Sequence, residues 1–211
     1  MNIETILFDL DGTLIDTNDL IQASFKHTFE TYGYSFSDED ILHFNGPPLI
    51  TTFSELNPEL KDEMIETYRK YNLEHHNDYV KPFPGVEEVL DQLKAKEIPM
   101  GIVSTKMRAS VELGLEVTGL SHYFNPVITF NDVHNPKPHP EPVLKAMHEL
   151  SGKKETTLMV GDNYHDIESG KNAGVQTAGV AWSKKGEAFL QTYQPTFMLQ
   201  DMHDILKIIG V

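Results

Sequence analysis

From residue 81 onward, short apolar runs alternate with amphipathic helical patterns, and this alternation restricts the fold of the chain more than any other feature. Strands are predicted at 98–103, 127–130, 157–160 and 175–180, and helices at 86–96, 109–118, 142–150 and 167–173. Two further elements are expected at 196–199 and 205–209. Parallel strands need crossover helices of this kind, which then cover both faces of the sheet. The sequence therefore predicts an α/β fold with a parallel sheet sandwiched by helices.

One further apolar run, Thr5–Phe8, is separated from the others by a block with helical spacing. Within that block, helices are predicted at 19–32 with Asn18 as N-cap, from Ser37, and at 58–75. The segment Asn45-Gly46-Pro47-Pro48 is a strong helix breaker. We therefore expect two domains: a Rossmann-like core from 1–14 and 81–211, and a small α-helical domain at 15–80 inserted after the first strand.

The bulk composition excludes several classes of protein. The chain has 211 residues, no cysteine and a formal net charge of −15. This charge argues against a broad nucleic-acid-binding surface. The N-terminus shows no signal peptide, and no apolar stretch approaches the roughly 20 residues of a membrane span. We expect a cytoplasmic protein without nucleic-acid or membrane partners, whose oligomeric state the sequence leaves open.

The run Thr5–Phe8 leads directly into Asp9-Leu10-Asp11-Gly12. Residues i and i+2 of an extended chain lie on one side, and Gly12 allows a sharp turn beyond them. Two carboxylates this close repel each other unless a cation neutralises them, and Mg²⁺ prefers oxygen ligands. The pair therefore suggests a magnesium site, with a simple polar turn as the alternative.

Three further motifs follow later apolar runs: Ser104-Thr105-Lys106, Lys137 in Asn135-Pro136-Lys137-Pro138, and Gly161-Asp162 with Asp166. In open parallel sheets, ligands lie beyond the carboxyl ends of the strands. Carboxylates, hydroxyls and a lysine at one edge match phosphoryl transfer through an aspartyl-phosphate. The structural alternatives are a helix cap at Ser104 and Thr105, a solvated loop lysine at Lys137, and turn or helix-start charges at Asp162 and Asp166.

These four motifs in this order resemble the haloacid-dehalogenase-like phosphohydrolase superfamily over the whole chain, and the helical insert resembles the small cap of its phosphoglycolate phosphatase and β-phosphoglucomutase branch. The resemblance implies that Asp9 is the nucleophile and Asp11 the general acid and base. It implies that Asp9, Asp162 and the Asp11 backbone carbonyl hold Mg²⁺. Asp166 would act mainly through a water molecule or by positioning the residues that contact the ion. Ser104, Thr105 and Lys137 would bind the transferred phosphoryl group.

The sequences of several loops indicate which substrate to expect. Gly46-Pro47-Pro48 and the segments around the later motifs resemble bacterial pyrophosphatases of this branch, which implies inorganic pyrophosphate as the substrate. Gly46, Lys106 and Arg108 would then contact its second phosphate, with a helix-surface charge as the alternative for Arg108. Other possible functions are a phosphoglycolate or small phosphomonoester phosphatase, a β-phosphoglucomutase-like mutase, and a receiver-like phospho-acceptor that is not an enzyme.

Overall fold

The computed structural model describes residues 3–44 and 47–210. The chain divides into two compact units, one formed by Met1–Asp16 with Lys81–Val211 and the other by Thr17–Val80. Ile15 and Asp16 belong to the first unit, two residues beyond the expected boundary, because they pair with Pro82 and Lys81 in a short antiparallel ladder. Among the described helices, none has the length and apolar character that crossing a membrane requires.

The first unit is built on a six-stranded parallel sheet, which confirms the predicted fold class. Its strands are β1 (Thr5–Phe8), β4 (Met100–Val103), β5 (Val127–Ile128), β6 (Thr157–Gly161), β7 (Gln176–Val180) and β8 (Phe197–Leu199). A second, two-stranded sheet consists of β2 (Ile15–Asp16) and β3 (Lys81–Pro82). The order across the sheet is β5-β4-β1-β6-β7-β8. Every residue of β1, β4 and β6 is buried, as expected for strands covered on both faces.

Helices cover this sheet. They are α6 (Val86–Ala95), α7 (Arg108–Val117), α8 (Glu141–Glu149), α9 (Tyr164–Ala173), α10 (Glu187–Thr192) and α11 (Asp204–Ile209). Val143 and Ala146 of α8 pack in one buried cluster with Leu7 of β1 and Met159 of β6. Helix α10 is absent from the sequence-based prediction, because this six-residue helix buries only Leu190 and shows no apolar periodicity.

The position of β1 determines where a ligand can bind. From β1 the chain runs to β4 and β5 on one side, and then crosses to β6, β7 and β8 on the other. The carboxyl ends of β1 and β6 therefore flank the point at which the strand order reverses. Ligands of open α/β sheets bind in the crevice at this kind of switch point.

In its described residues, the second unit contains helices joined by turns and no strand. Its helices are α1 (Asn18–Thr31), α2 (Asp38–Phe44), α3 (Leu49–Leu56), α4 (Lys61–Glu74) and α5 (His76–Tyr79). The prediction of Asn18 as an N-cap was wrong, because Thr17 occupies that position. Helix α3 was missed because Pro47 and Pro48 suggested only a break, whereas proline also fits the start of a helix.

The core of this helical unit is an aromatic cluster centred on Phe25, which is 1% exposed. Its ring centroid lies 4.7 Å from that of Tyr68 and 5.6 Å from that of Phe29. We expect Phe25→Ala to lower the free energy of unfolding by about 3–5 kcal/mol, because the truncation leaves a cavity. Urea unfolding followed by far-UV circular dichroism measures the change. Leu73→Ala, at a residue 46% exposed, is the matched control, and an equal loss in both variants would contradict the assignment.

Candidate active site

Asp9 directly follows β1 and is buried, with 7% of its surface exposed. Its backbone amide donates to Val160 O at 2.9 Å, which continues the ladder between β1 and β6 by one residue. Lys137 Nζ donates to Asp9 Oδ1 at 2.7 Å. The carboxylate is therefore fixed at the carboxyl edge of the sheet, beside the strand-order switch.

Lys137 is buried, although it lies in a loop between β5 and α8. Besides Asp9, its ammonium donates to Val103 O at 2.7 Å and to Asp166 Oδ1 at 2.5 Å. Three acceptors thus use the three N–H groups of the ammonium. Although burial acts to lower the pKa of Lys137, the charges of Asp166 and Asp9 raise it above its usual range, so the lysine is cationic.

Helix α9 holds the loop that carries Lys137. Ser169 Oγ donates to His139 O at 2.8 Å, and Asn172 Nδ2 donates to Pro138 O at 3.2 Å. These two bonds fix the chain on the residues that follow the lysine. The surrounding residues therefore hold the ammonium in place. The alternative interpretation of Lys137 as a solvated loop lysine is wrong.

Asp162 and Asp166 enter the site from β6 and α9. Asp166 Oδ2 accepts from the backbone amide of Asn163, which caps the start of α9. A Cβ on Gly161 would overlap the Asp166 side chain, and a Cβ on Gly12, whose φ is +79°, would overlap the Asp162 carboxylate. Glycine at these two positions therefore lets the backbone approach the carboxylates closely.

The electrostatics of this group show a deficit of positive charge. Burial raises the pKa of Asp9 to about 7, against the lowering effect of Lys137 and with the added effect of Asp166. Burial, together with the charges of Asp9 and Asp166, raises the pKa of Asp162 well above its usual range. One lysine does not neutralise three buried carboxylates, and a further cation at this place would restore their ionised forms.

The donor set fits a hard divalent cation. One carboxylate oxygen from each of Asp9, Asp162 and Asp166 lies within 4.8 Å of the other two. Oxygen-only ligands suit Mg²⁺. Both oxygens of Asp166 already accept hydrogen bonds, from Lys137 and from Asn163, so Asp9 and Asp162 are the more available ligands. The structure thus groups three of the four carboxylates that the sequence had suggested for a metal.

The side chain of Asp11, the fourth of these carboxylates, takes part in a separate ion pair. Lys106 Nζ donates to Asp11 Oδ1 at 2.7 Å, and the buried Oδ2 has no hydrogen-bond partner among the described residues. The backbone amide of Lys106 donates to Ser104 Oγ at 3.1 Å, and Ser104 is buried after β4. Thr105, between them, is partly exposed. Lys106, which was expected at the second phosphate, is therefore paired with Asp11.

Arg108, one of the expected phosphate contacts, has partners outside this group. The Arg108 guanidinium donates to Asp132 Oδ2 at 2.6 Å and to Val127 O at 3.0 Å, which ties the start of α7 to the segment that begins with β5. A third donor contacts Glu112 at 3.3 Å. These contacts and the 40% exposure of its side chain favour the alternative of a helix-surface charge for Arg108, and its contact with a phosphate stays a prediction. Gly46 lies outside the described residues.

Sequence reasoning missed the loop after β7. Ser183 Oγ donates to Asp162 O at 2.7 Å, and Lys185 is close enough to Asp162 and Asp166 for their charges to affect its pKa. The signal in the sequence was a pair of lysines, Lys184 and Lys185, a few residues after an apolar strand in an acidic chain. His165 is also buried, and this burial lowers its pKa to about 4, so its imidazole is neutral at pH 7.

Known proteins resemble this chain over its full length. A family model described as haloacid dehalogenase-like hydrolase matches residues 6–180. The pyrophosphatase PpaX of Oceanobacillus iheyensis is 53% identical over 210 residues, which cover 100% of this chain and 98% of that protein. The pyrophosphatase PpaX of Anoxybacillus flavithermus is 54% identical over 212 residues, covering 100% and 99%. A solved haloacid dehalogenase-like family hydrolase from Streptococcus pneumoniae has a TM-score of 0.87 at 26% identity, with 99% of each chain covered.

The raised pKa of Asp9 makes stability depend on pH. Between its usual pKa of 3.8 and about 7, the folded protein retains a proton that the unfolded chain releases, so stability without metal falls as pH rises through this window. Asp9→Asn removes the effect because the amide stays neutral. In the presence of a chelator, we expect this variant to exceed the wild type in melting temperature by roughly 4 °C or more at pH 8, and by less at pH 5.

The control for this measurement is Asp91→Asn, at an exposed residue of α6 whose Oδ1 accepts from Tyr123 OH, a bond that an asparagine oxygen can still accept. It should show no such pH-dependent gain. Replacing the chelator by Mg²⁺ should stabilise the wild type at pH 8 more than Asp9→Asn. If Asp9→Asn instead loses stability equally at both pH values, the proposed crowding of carboxylates is wrong.

Proposed function

The chain belongs to the haloacid dehalogenase-like hydrolase family and is a phosphohydrolase, and on that premise we propose that its substrate is inorganic pyrophosphate, which it hydrolyses to two orthophosphates. The observation that carries this choice is the identity of 53% and 54%, over essentially full length, to two proteins named pyrophosphatase PpaX. Family membership as a hydrolase sets aside the receiver-like alternative. The mutase and the phosphoglycolate phosphatase become outcomes of the substrate test.

In the proposed reaction, Asp9 is the nucleophile. Lys137 holds Oδ1 of Asp9, which leaves Oδ2 to attack phosphorus in line with the leaving group. A bond forms between Oδ2 and phosphorus, the bond from phosphorus to the bridging oxygen breaks, and orthophosphate leaves. Water then attacks the phosphorus of the aspartyl-phosphate, releases the second orthophosphate and regenerates the Asp9 carboxylate.

Asp11 is the proposed acid and base of these two steps. It would protonate the bridging oxygen as the first bond breaks, and would then accept a proton from the attacking water. Lys106 supports this role because it fixes Oδ1 of Asp11, while Oδ2 has no described hydrogen-bond partner and is available for the proton. Ser104 and Thr105 are the proposed donors to the transferred phosphoryl group, together with Lys137, which would exchange one of its three acceptors for a phosphoryl oxygen. Such donors stabilise the charge that develops on the phosphoryl oxygens.

We assign Mg²⁺ to Asp9 and Asp162, with Asp166 and the backbone carbonyl of Asp11 as further contacts. The close carboxylate oxygens and the raised pKa values of Asp9 and Asp162 support this assignment. When bound, the ion supplies positive charge that neutralises the carboxylates and polarises phosphoryl oxygens. The helical unit is the proposed cap domain that the family resemblance implies.

The substrate assignment is tested by comparing kcat/KM values in the presence of Mg²⁺. We expect the value for pyrophosphate to exceed those for phosphoglycolate, β-glucose 1-phosphate and p-nitrophenyl phosphate by about tenfold or more, because a second phosphoryl group can accept further charge-assisted hydrogen bonds. Phosphate release measures all four reactions. A clear preference for phosphoglycolate would assign the protein to the phosphatase alternative, and conversion of glucose 1-phosphate to glucose 6-phosphate would assign it to the mutase.

The role of Asp9 is tested by Asp9→Asn. We expect turnover of pyrophosphate to fall by roughly 10⁴-fold or more, because the amide is a poor nucleophile. Asp91→Asn, the same chemical change on α6, should keep wild-type turnover. Thermal unfolding of both variants shows whether they are folded. Wild-type-like activity in a folded Asp9→Asn variant would exclude nucleophilic catalysis by this residue.

A further inference from the structure

The loop after β7 is fixed to both segments that carry the central carboxylates. Ser183 Oγ donates to Asp162 O at 2.7 Å, in the segment after β6. Trp182 Nε1 donates to Thr13 O at 3.3 Å, in the segment after β1. The backbone amide of Lys185 donates back to Ser183 Oγ at 3.2 Å. The main chain of Lys185 is therefore positioned by the same hydroxyl group that contacts the backbone of Asp162.

The Lys185 ammonium is held by aromatic rings. Its Nζ lies 5.9 Å from the ring centroid of Tyr164 on α9 and 5.9 Å from that of Phe189 on α10. Tyr164 is itself stacked on Tyr193, with centroids 5.2 Å apart, so the ring has a fixed support. Cations at this distance from aromatic faces are attracted to them without being neutralised.

No described residue forms an ion pair or hydrogen bond with this ammonium. Its side chain is only partly exposed, and burial lowers the pKa of Lys185, whereas the charges of Asp162 and Asp166 act to raise it. The ammonium is thus within electrostatic reach of the proposed metal-binding carboxylates. Its cationic form has no carboxylate partner of its own.

The other cations considered for this site are already paired. Lys137 is shared by Asp9 and Asp166, and Lys106 is bound to Asp11. Arg108 is bound to Asp132 and Glu112. Among these four cations, Lys185 is therefore the one that can pair with an anionic leaving group without first breaking an ion pair.

We propose that Lys185 is a specificity-determining residue, which binds a negatively charged leaving group and thereby favours substrates that carry one. Under the proposed function, on which this inference rests for its natural substrate, that group is the second phosphoryl group of pyrophosphate. The aromatic contacts hold the ammonium in place but leave its three N–H groups available to phosphoryl oxygens. The loop after β7 then selects the substrate, while the ends of β1, β4 and β6 carry out the reaction.

The test is Lys185→Gln, assayed with pyrophosphate and with p-nitrophenyl phosphate, whose leaving group carries no charge before reaction. We expect kcat/KM for pyrophosphate to fall roughly tenfold or more, mainly through KM, because a charge-assisted contact is lost. The value for p-nitrophenyl phosphate should change less than about twofold. Lys185→Arg, which keeps the charge and can also stack on the rings, should restore most of the preference for pyrophosphate.

A binding measurement provides a second readout. By calorimetry, Lys185→Gln should weaken the binding of imidodiphosphate, a pyrophosphate analogue, by a similar factor and leave the binding of orthophosphate nearly unchanged. The matched control is Lys94→Gln on α6. Lys94 is an exposed lysine over the ring of Tyr123 at 5.3 Å, near the start of β4 and therefore at the opposite edge of the sheet.

If Lys185→Gln leaves the ratio of the kcat/KM values for pyrophosphate and p-nitrophenyl phosphate unchanged, because both values fall equally or neither falls, the proposal is overturned. An equal change of this ratio in Lys94→Gln would also overturn it. A failure of the proposed function is recognised separately, since the wild type would then prefer phosphoglycolate to pyrophosphate. The leaving group of phosphoglycolate carries a carboxylate, so a selective loss with phosphoglycolate in Lys185→Gln would still support Lys185 as the contact for a charged leaving group.

Discussion

A buried ammonium shared by three acceptors organises the carboxyl edge of the sheet. Lys137 joins Asp9 after β1, Val103 O in β4 and Asp166 on α9, three segments that are far apart in the sequence. The ammonium stabilises the charges of Asp9 and Asp166, which repel each other, and its loss would leave both buried carboxylates without a cation. Asp162 joins this group, because one of its carboxylate oxygens lies within 4.8 Å of an oxygen of Asp9 and of Asp166, and the glycine at position 12 leaves room for its carboxylate.

The sequence was sufficient to predict the fold class and to place the main candidate site residues at the carboxyl edge of the sheet. Apolar strands alternating with helices predict a parallel sheet, and residues after such strands share its carboxyl edge. Asp9, Lys137, Asp162 and Asp166 lie together for this reason, and their catalytic and metal-binding roles remain predictions. The bounds of short elements were harder to predict, because α3 begins after two prolines and α10 buries a single leucine.

The pairing of charges could not be predicted from the sequence. Lys106 and Arg108 are two residues apart, yet one contacts Asp11 and the other contacts Asp132. The Lys185 ammonium lies over rings contributed by two different helices. Such contacts depend on loop conformations and on side chains that the fold brings together over long sequence separations, whereas motif spacing reports only the local chain. The cations available to a ligand are therefore known only once their partners are known.

The hydrogen bond from Ser183 to the carbonyl of Asp162 limits how substrate preference can be redesigned. Because one hydroxyl joins the loop after β7 to a carboxylate-bearing turn, replacing the whole loop would also disturb that turn. Variation confined to the side chains beyond Ser183 leaves this link intact. A library built at Lys185 and Phe189 on an unchanged Ser183 would therefore explore new specificities on an undisturbed reaction centre.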